Sequence, residues 1–369
     1  MTTLTPRPGI LDIDPYVGGE SSLGGRHVIK MSSNEGPLGP SPRAIAAYQA
    51  KATELYRYPD GGHKLLREAI GRRLGLDPAR IVCGAGSDEI LGLLCRAYAG
   101  PGDEVIYSRH GFLMYPIAAK TCGATPVVAD EDNLTTSVDN ILKKVSPRTR
   151  VVFIANPNNP TGTYLPKDEL VRLRAGLPAT VLLVIDEAYA EFVGKNDYGT
   201  GFPLVDEAGD NTVVTRTFSK IYGLGGIRLG WGYCPASIAD VLNRIRNPFN
   251  VSSSALAAGA AAIEDERFFD LCRAHNDHWL AWVTERIAAL GLQMTPSVCN
   301  FVLVRFPREP DCDAASTDQF LREKGIIVRA MKGYGLPDWL RITIGKADEN
   351  MALVAALSEF VTGWNARGQ

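Results

Sequence analysis

Lys220 closes the run Thr217-Phe218-Ser219-Lys220 and is followed by Gly223, Gly225, Gly226 and Arg228. An amine flanked by hydroxyls and glycines can condense with a carbonyl, and an arginine and a serine beside it can hold an anion. Upstream, Asp186 ends the apolar run Val181 to Ile185 and opens Asp186-Glu187-Ala188-Tyr189. A carboxylate at a buried strand end is costly unless a cation meets it. The set matches the needs of pyridoxal phosphate. Lys220 would form the Schiff base, Asp186 would face the protonated pyridinium nitrogen, and Arg228 and Ser219 would hold the phosphate. The plain alternatives are a surface lysine and a helix N-cap. The neighbours of Lys220 and the apolar run before Asp186 speak against both.

Two more segments fit the same chemistry. Gly84-Ala85-Gly86-Ser87-Asp88-Glu89 follows an apolar run and opens a helical pattern ending near Ala99. Glycines let the backbone approach an anion, and the free N–H groups of a first helical turn receive it. Taken alone, the segment reads first as a plain cap, with Ser87 at the N-cap and Asp88 and Glu89 complementing the helix dipole. It is neither a dinucleotide fingerprint nor a Walker A sequence. Asn156-Pro157-Asn158-Asn159-Pro160-Thr161-Gly162 is a rigid turn by composition. Asn159 in that turn, and Tyr189 three residues after Asp186, are candidates to bind the phenolic oxygen of the ring.

These residues need a framework. The chain has 369 residues, 45% of them hydrophobic, enough for a large core and two domains. A net charge of −2 offers no basic field for nucleic acid. The seven cysteines form no CxxC pair and read as reduced thiols. The N-terminal residues carry Pro6, Pro8, Asp12 and Asp14 and no apolar signal-peptide core. No apolar run approaches the roughly 20 residues of a membrane helix. The expectation is a soluble cytoplasmic protein.

Residues 1–40 are rich in glycine, proline and serine and read as an extended arm. Helical spacing starts at Ser41-Pro42 and recurs from His63 to Leu74. Apolar runs then alternate with helical stretches: Arg80–Cys83, Glu104–Tyr107, Thr125–Val128, Val151–Ala155, Val181–Ile185, Thr212–Thr215 and Leu229–Cys234. Such strands imply an α/β sheet covered on both faces, with ligands at the carboxyl ends of its strands. After Asn247-Pro248 come helices at Ser253–Ile263 and Glu266–Leu290, then strands at Asn300–Phe306, Ile326–Met331 and Leu340–Ile344. The expected division is an arm (1–40), a large cofactor-binding domain (41–250) with a mixed, mostly parallel sheet, and a small α+β domain (251–369).

Several segments carry a family resemblance. They are Met31-Ser32-Ser33-Asn34-Glu35 with Pro37-Leu38-Gly39-Pro40-Ser41-Pro42, Arg57-Tyr58-Pro59-Asp60-Gly61, Asn158-Asn159-Pro160-Thr161-Gly162, and the segments around Asp186 and Lys220. Gly325-Ile326-Ile327-Val328-Arg329 and Leu340-Arg341-Ile342-Thr343 complete the set. Together they resemble fold-type I pyridoxal phosphate enzymes, the aspartate aminotransferase superfamily. More narrowly, they are similar to its histidinol-phosphate aminotransferase branch.

The resemblance implies pyridoxal 5'-phosphate as cofactor, held by Gly86, Ser87, Asp88, Asn159, Asp186, Tyr189, Thr217, Ser219, Lys220 and Arg228. Lys220, Asp186 and Tyr189 would be catalytic, and Lys220 would also shuttle protons. Phe112 stands where the family commonly stacks a tyrosine on the ring. Tyr58 would reach the cofactor phosphate of a neighbouring subunit, which implies a homodimer. Tyr16, Asn34, Arg329 and Arg341 would bind substrate, the arginines at its anionic end. Gly36 stands where the family often has asparagine, and Gly18 where its arm often has proline.

The implied reaction is transamination between L-histidinol phosphate and 2-oxoglutarate, in histidine biosynthesis. An aromatic amino acid aminotransferase would share these motifs and a planar pocket. A decarboxylase of a phosphorylated amino acid needs only a different bond held perpendicular to the ring. A non-catalytic regulator would be expected to add a DNA-binding segment, and none is seen.

Overall fold

A computed structural model describes residues 4–25, 28–207, 209 and 211–367. Residues 1–3 and 26–27 of the expected arm, and 368–369 of the expected small domain, lie outside the described residues. The strands, in chain order, are β1 (Ile29–Lys30), β2 (Ile81–Gly84), β3 (Glu104–Ser108), β4 (Thr125–Ala129), β5 (Glu131–Asp132), β6 (Thr135–Thr136), β7 (Thr149–Ala155), β8 (Leu182–Asp186), β9 (Thr212–Thr217) and β10 (Gly230–Tyr233). They continue with β11 (Gln293–Met294), β12 (Phe301–Arg305), β13 (Ile326–Ile327), β14 (Arg329–Ala330) and β15 (Trp339–Thr343).

The large sheet runs β2-β10-β9-β8-β7-β3-β4. Only β10 is antiparallel to its neighbours. The other six strands therefore deliver their carboxyl ends to one edge, and the candidate residues follow those ends. Alternation along the strands explains why both faces are apolar. Val152, Ile154, Leu183, Ile185 and Val214 pack into one core. Their neighbours Val151, Phe153, Leu182, Val184 and Val213 pack into another, with Ile90, Leu91 and Leu94 of the helix Ser87–Tyr98.

The first helix spans Pro42–Ala50, with the Ser41 hydroxyl capping the Ala44 N–H at 3.1 Å, as the Ser-Pro start implies. Helix Ser253–Ile263 was expected beyond the boundary at 250. It instead buries Ala255, Leu256, Ala258 and Ile263 in the core that also holds Ala44, Leu66 and Ile70. Its run of alanines lets it lie close to the helices Pro42–Ala50 and Lys64–Leu74, so the large unit extends through it.

The small sheet is antiparallel, β11-β12-β15-β14. Its core joins Val302, Val304, Leu340 and Ile342 to Val283, Ile287, Leu353 and Leu357 of the long helices Glu266–Ala289 and Ala347–Arg367. The single strand expected over Ile326–Met331 splits at Val328. Ile326 and Ile327 pair in parallel with β1, while Arg329 and Ala330 pair with β15.

The end of the expected arm is packed rather than extended. Met31 is fully buried in the small-domain core, and the Thr343 N–H donates to the Met31 carbonyl at 2.9 Å. Among the described residues no helix is long and apolar enough to cross a membrane.

Candidate active site

The turn after β2 builds an anion cradle. Gly86 takes the N-cap of helix Ser87–Tyr98 at φ 88° and ψ 162°, a conformation that favours glycine. Ser87, expected at the N-cap, is the first helical residue, and its hydroxyl is not spent on capping. A Cβ on Gly86 would lie 2.4 Å from Arg228 Nη2, and one on Gly230 would lie 2.2 Å from the Ser87 nitrogen. Both glycines therefore let β10 and the Arg228 guanidinium close on the helix N-terminus. Arg228 Nη1 donates to Ser219 Oγ at 3.3 Å, and Nη2 pairs with Asp88 at 3.3 Å. The Ser219 N–H donates to Thr217 Oγ1 at 3.1 Å. N–H groups, hydroxyls and a guanidinium thus converge at one place, a set suited to a phosphate.

Two adjacent acids at the end of β8 have opposite surroundings. Glu187 is fully buried and meets Arg216 at 2.7 Å. Asp186 is also buried, yet no cationic side chain among the described residues pairs with it. It accepts from Tyr115 Oη at 2.9 Å and from Thr215 Oγ1 at 3.3 Å. Burial pushes its carboxyl up to about 6, with the Tyr115 hydrogen bond acting in the other direction.

Lys220 follows β9. Its Nζ donates to the Ser33 carbonyl at 3.2 Å and lies 5.6 Å from the centre of the Tyr189 ring. Burial, and then the charge of Arg341, lower its ammonium to about 8. Ser33 belongs to a strap, residues 31–36, laid against the lysine. A Cβ on Gly36 would meet the Lys220 carbonyl oxygen at 2.8 Å, which gives the glycine at this position a physical reason. Asn34 in the strap has a left-handed φ of 55°. Its Nδ2 donates to Tyr189 Oη at 2.8 Å, and its Oδ1 accepts from Thr343 Oγ1 at 3.2 Å.

The arginines come from the small sheet. Arg329 and Arg341 stand directly opposite each other on β14 and β15. Arg341 is buried, donates to Asn159 Oδ1 and to the Ser32 carbonyl, and keeps a buried Nε without a partner among the described residues. Arg329 donates to the Val17 carbonyl at 2.6 Å and so ties down the segment that carries Tyr16. Phe112 stands edge-on to Tyr16 and to Tyr115 at 6.2 and 6.0 Å.

One cavity of about 210 Å³ is lined by Lys220, Asp186, Tyr189, Asn159, Ser87, Asp88, Thr217, Ser219, Arg228, Phe112, Tyr16, Asn34, Arg329 and Arg341. Gly86 is not among the lining residues; it lies against Arg228, which is. Tyr58 is elsewhere: it is 82% exposed and stacks on Phe249 at 4.8 Å. Tyr115 and Tyr334 were not anticipated. Tyr115 lies in the first turn of the helix Met114–Cys122, and nothing local in the sequence marks it. Tyr334, in the short turn Lys332–Tyr334 after β14, is equally unmarked.

The cavity sets three demands: a cation for Asp186, a carbonyl within reach of a buried amine, and an anion for the cradle. A molecule with a protonated ring nitrogen, an aldehyde and a phosphate meets all three, so the residues fit pyridoxal phosphate.

The sequence profile of the family described as aminotransferase class I and II matches residues 26–357. A histidinol-phosphate aminotransferase of Paramagnetospirillum magneticum is 66% identical over 98% of this chain and 99% of its own length. That of Rhodospirillum centenum is 59% identical over 97% of this chain and 99% of its own length. The crystal structure of the Sinorhizobium meliloti histidinol-phosphate aminotransferase, in complex with pyridoxal-5'-phosphate, superposes with a TM-score of 0.87. It is 29% identical and covers 98% of this chain and 99% of that one.

Proposed function

The chain belongs to the class I and II aminotransferases, and from that premise we propose that it moves an amino group from L-histidinol phosphate to 2-oxoglutarate. The products are imidazole-acetol phosphate and L-glutamate, the setting is histidine biosynthesis, and the cofactor is pyridoxal 5'-phosphate. The relatives named above support this reading.

The observation that carries it within the site is the register pairing of Arg329 and Arg341 on the wall shared with Lys220. Like charges directly opposite each other are unfavourable in a sheet. A dianionic phosphate relieves that repulsion, and guanidinium forks suit it. Glutamate's carboxylates would use the same arginines in the return half-reaction. An aromatic amino acid would bring a single α-carboxylate to the pair in place of a dianion.

Bound pyridoxal phosphate supplies an electron sink that makes the substrate's Cα–H acidic. The chain supplies everything else. Asp186, ionised, would hold the ring nitrogen's proton in place. The N–H groups of Gly86, Ser87 and Asp88, with Thr217, Ser219 and Arg228, would grip the phosphate. Asn159 and Tyr189 would face the phenolic oxygen, and Phe112 would pack on the ring. Lys220 Nζ is the base for the Cα proton. An ammonium lowered to about 8 can both take a proton and release it near neutral pH.

A cytoplasmic homodimer completes the proposal. Tyr58 would serve the phosphate of a second copy. Its exposure among Leu55 and Tyr56, also exposed, supports a contact there.

The test supplies purified protein and 2-oxoglutarate with histidinol phosphate, phenylalanine and threonine phosphate in turn, and follows glutamate and carbon dioxide. Glutamate formed fastest from histidinol phosphate is expected. Carbon dioxide from threonine phosphate, or phenylalanine as the best donor, would replace this reading.

A further inference from the structure

The hydrogen bonds of Asn34 have a direction, and the direction matters for Tyr189. Thr343 Oγ1 accepts the Asn34 backbone N–H at 2.9 Å, so its one proton must go elsewhere. It goes to Asn34 Oδ1 at 3.2 Å. The amide then presents Nδ2 to Tyr189 Oη at 2.8 Å. Turning the amide over would place two donors on Thr343 Oγ1 and leave the threonine proton without that acceptor. The backbone is pinned as well: Asn34 has a φ of 55°, and its carbonyl accepts from Asn300 Nδ2 at 3.1 Å. Asn34 and Thr343 are 1% and 4% exposed, so water does not compete for these groups.

We infer that Thr343 and Asn34 are positioning residues that set the direction of the Tyr189 hydroxyl. With its oxygen already accepting from Asn34, Tyr189 has one proton left, and that proton is free to point into the cavity. Burial pushes the phenol well above its ordinary range, so the proton stays on the oxygen. Lys220, Arg341, Tyr334 and Cys299 also face this tyrosine, but none of them is its hydrogen-bond partner among the described residues.

The chain starts on β15 of the small sheet, passes through the strap and ends on a tyrosine that follows β8 of the large sheet. The placement of the small domain is thereby read out at a hydroxyl beside Lys220. Asn34, expected as a substrate ligand, has both ends of its amide committed to this relay. The inference rests on the cofactor reading given above.

The test is the pH at which the absorbance of the bound cofactor changes, measured separately from turnover. A hydrogen bond to the phenolic oxygen favours its ionised form. Losing the orientation of that bond should move the absorbance transition upward by about half a unit, the size of one neutral hydrogen bond. Thr343→Val removes the first hydroxyl without changing any charge and should show this rise. Thr343→Ser keeps the hydroxyl and should return the wild-type value, which a packing role for the methyl group would not.

Asn34→Gly tolerates the left-handed backbone, removes the donor and should move the transition in the same direction. A folded, cofactor-loaded Thr343→Val protein with a wild-type transition overturns the relay. Should that variant not fold, Asn34→Gly decides by the same criterion. Absence of transamination in the wild type would instead remove the functional reading and leave the titration as an independent measure of the relay.

Discussion

Asp186, once ionised, is a destabilising residue while it has no cation to meet. Its carboxyl is raised from 3.8 to about 6, which is on the order of 3 kcal/mol at about 1.36 kcal/mol per unit. The folded protein holds this proton more tightly than the unfolded chain. The contribution is therefore favourable below pH 3.8 and is lost as the pH rises through about 6. Asp186→Asn should stabilise the cofactor-free protein by about 1–3 kcal/mol at pH 8 and by little at pH 4, read by urea unfolding. The same variant should lose turnover by several factors of ten. Unchanged stability at pH 8 would mean that the carboxylate is better solvated than its burial implies. Tyr115 opposes the rise. Tyr115→Phe should move the Asp186 midpoint in the cofactor-free protein above about 6, seen by carbon NMR of the labelled carboxyl. Lys220, Asp186, Ser219 and Arg228 were legible in the sequence because each stands at a strand end or beside glycines. Tyr115 meets Asp186 across 71 residues, and no local pattern encodes that distance. The commitment of Asn34 was hidden for the same reason, since its partner Thr343 is 309 residues away.

At the scale of elements, the cradle depends on how closely β10 approaches the helix Ser87–Tyr98. Gly230→Ala would set a methyl group 2.2 Å from the Ser87 nitrogen, so strand or helix must shift. Cofactor affinity of the cofactor-free protein should fall by roughly tenfold or more, at about 1.4 kcal/mol per factor of ten. Titration of cofactor fluorescence checks this, and wild-type affinity would show that the turn yields without loss. The strands of the large sheet were readable because both of its faces are buried, which turns each strand into an apolar run. The boundary at 250 misled because Asn247-Pro248 marks a turn within the large unit, while the alanine-rich helix Ser253–Ile263 still belongs to its core. Ile326–Met331 reads as one strand by composition, yet its two halves pair with different partners. The pairing of β1 with β13 was invisible because two residues carry no period.

At the scale of the whole molecule, the proposed shared site needs a second copy of the chain. Mixing Lys220→Ala subunits with Tyr58→Phe subunits places both lesions in one site of the heterodimer and neither in the other. Activity should recover on exchange, and no recovery after confirmed exchange would count against a shared site. Charge and shape over the whole cavity then decide the substrate. Arg329 and Arg341, set opposite each other in register, leave an anionic substrate as their natural counterpart. Charge-assisted hydrogen bonds contribute about 1.5–3 kcal/mol each. The most direct test of the account is kcat/KM for histidinol phosphate against histidinol, with 2-oxoglutarate as acceptor. A preference for the phosphorylated donor of roughly a hundredfold or more is expected, falling steeply in Arg329→Ala and Arg341→Ala. Equal use of the two donors by the wild-type enzyme, or a preference that survives both substitutions, would contradict it.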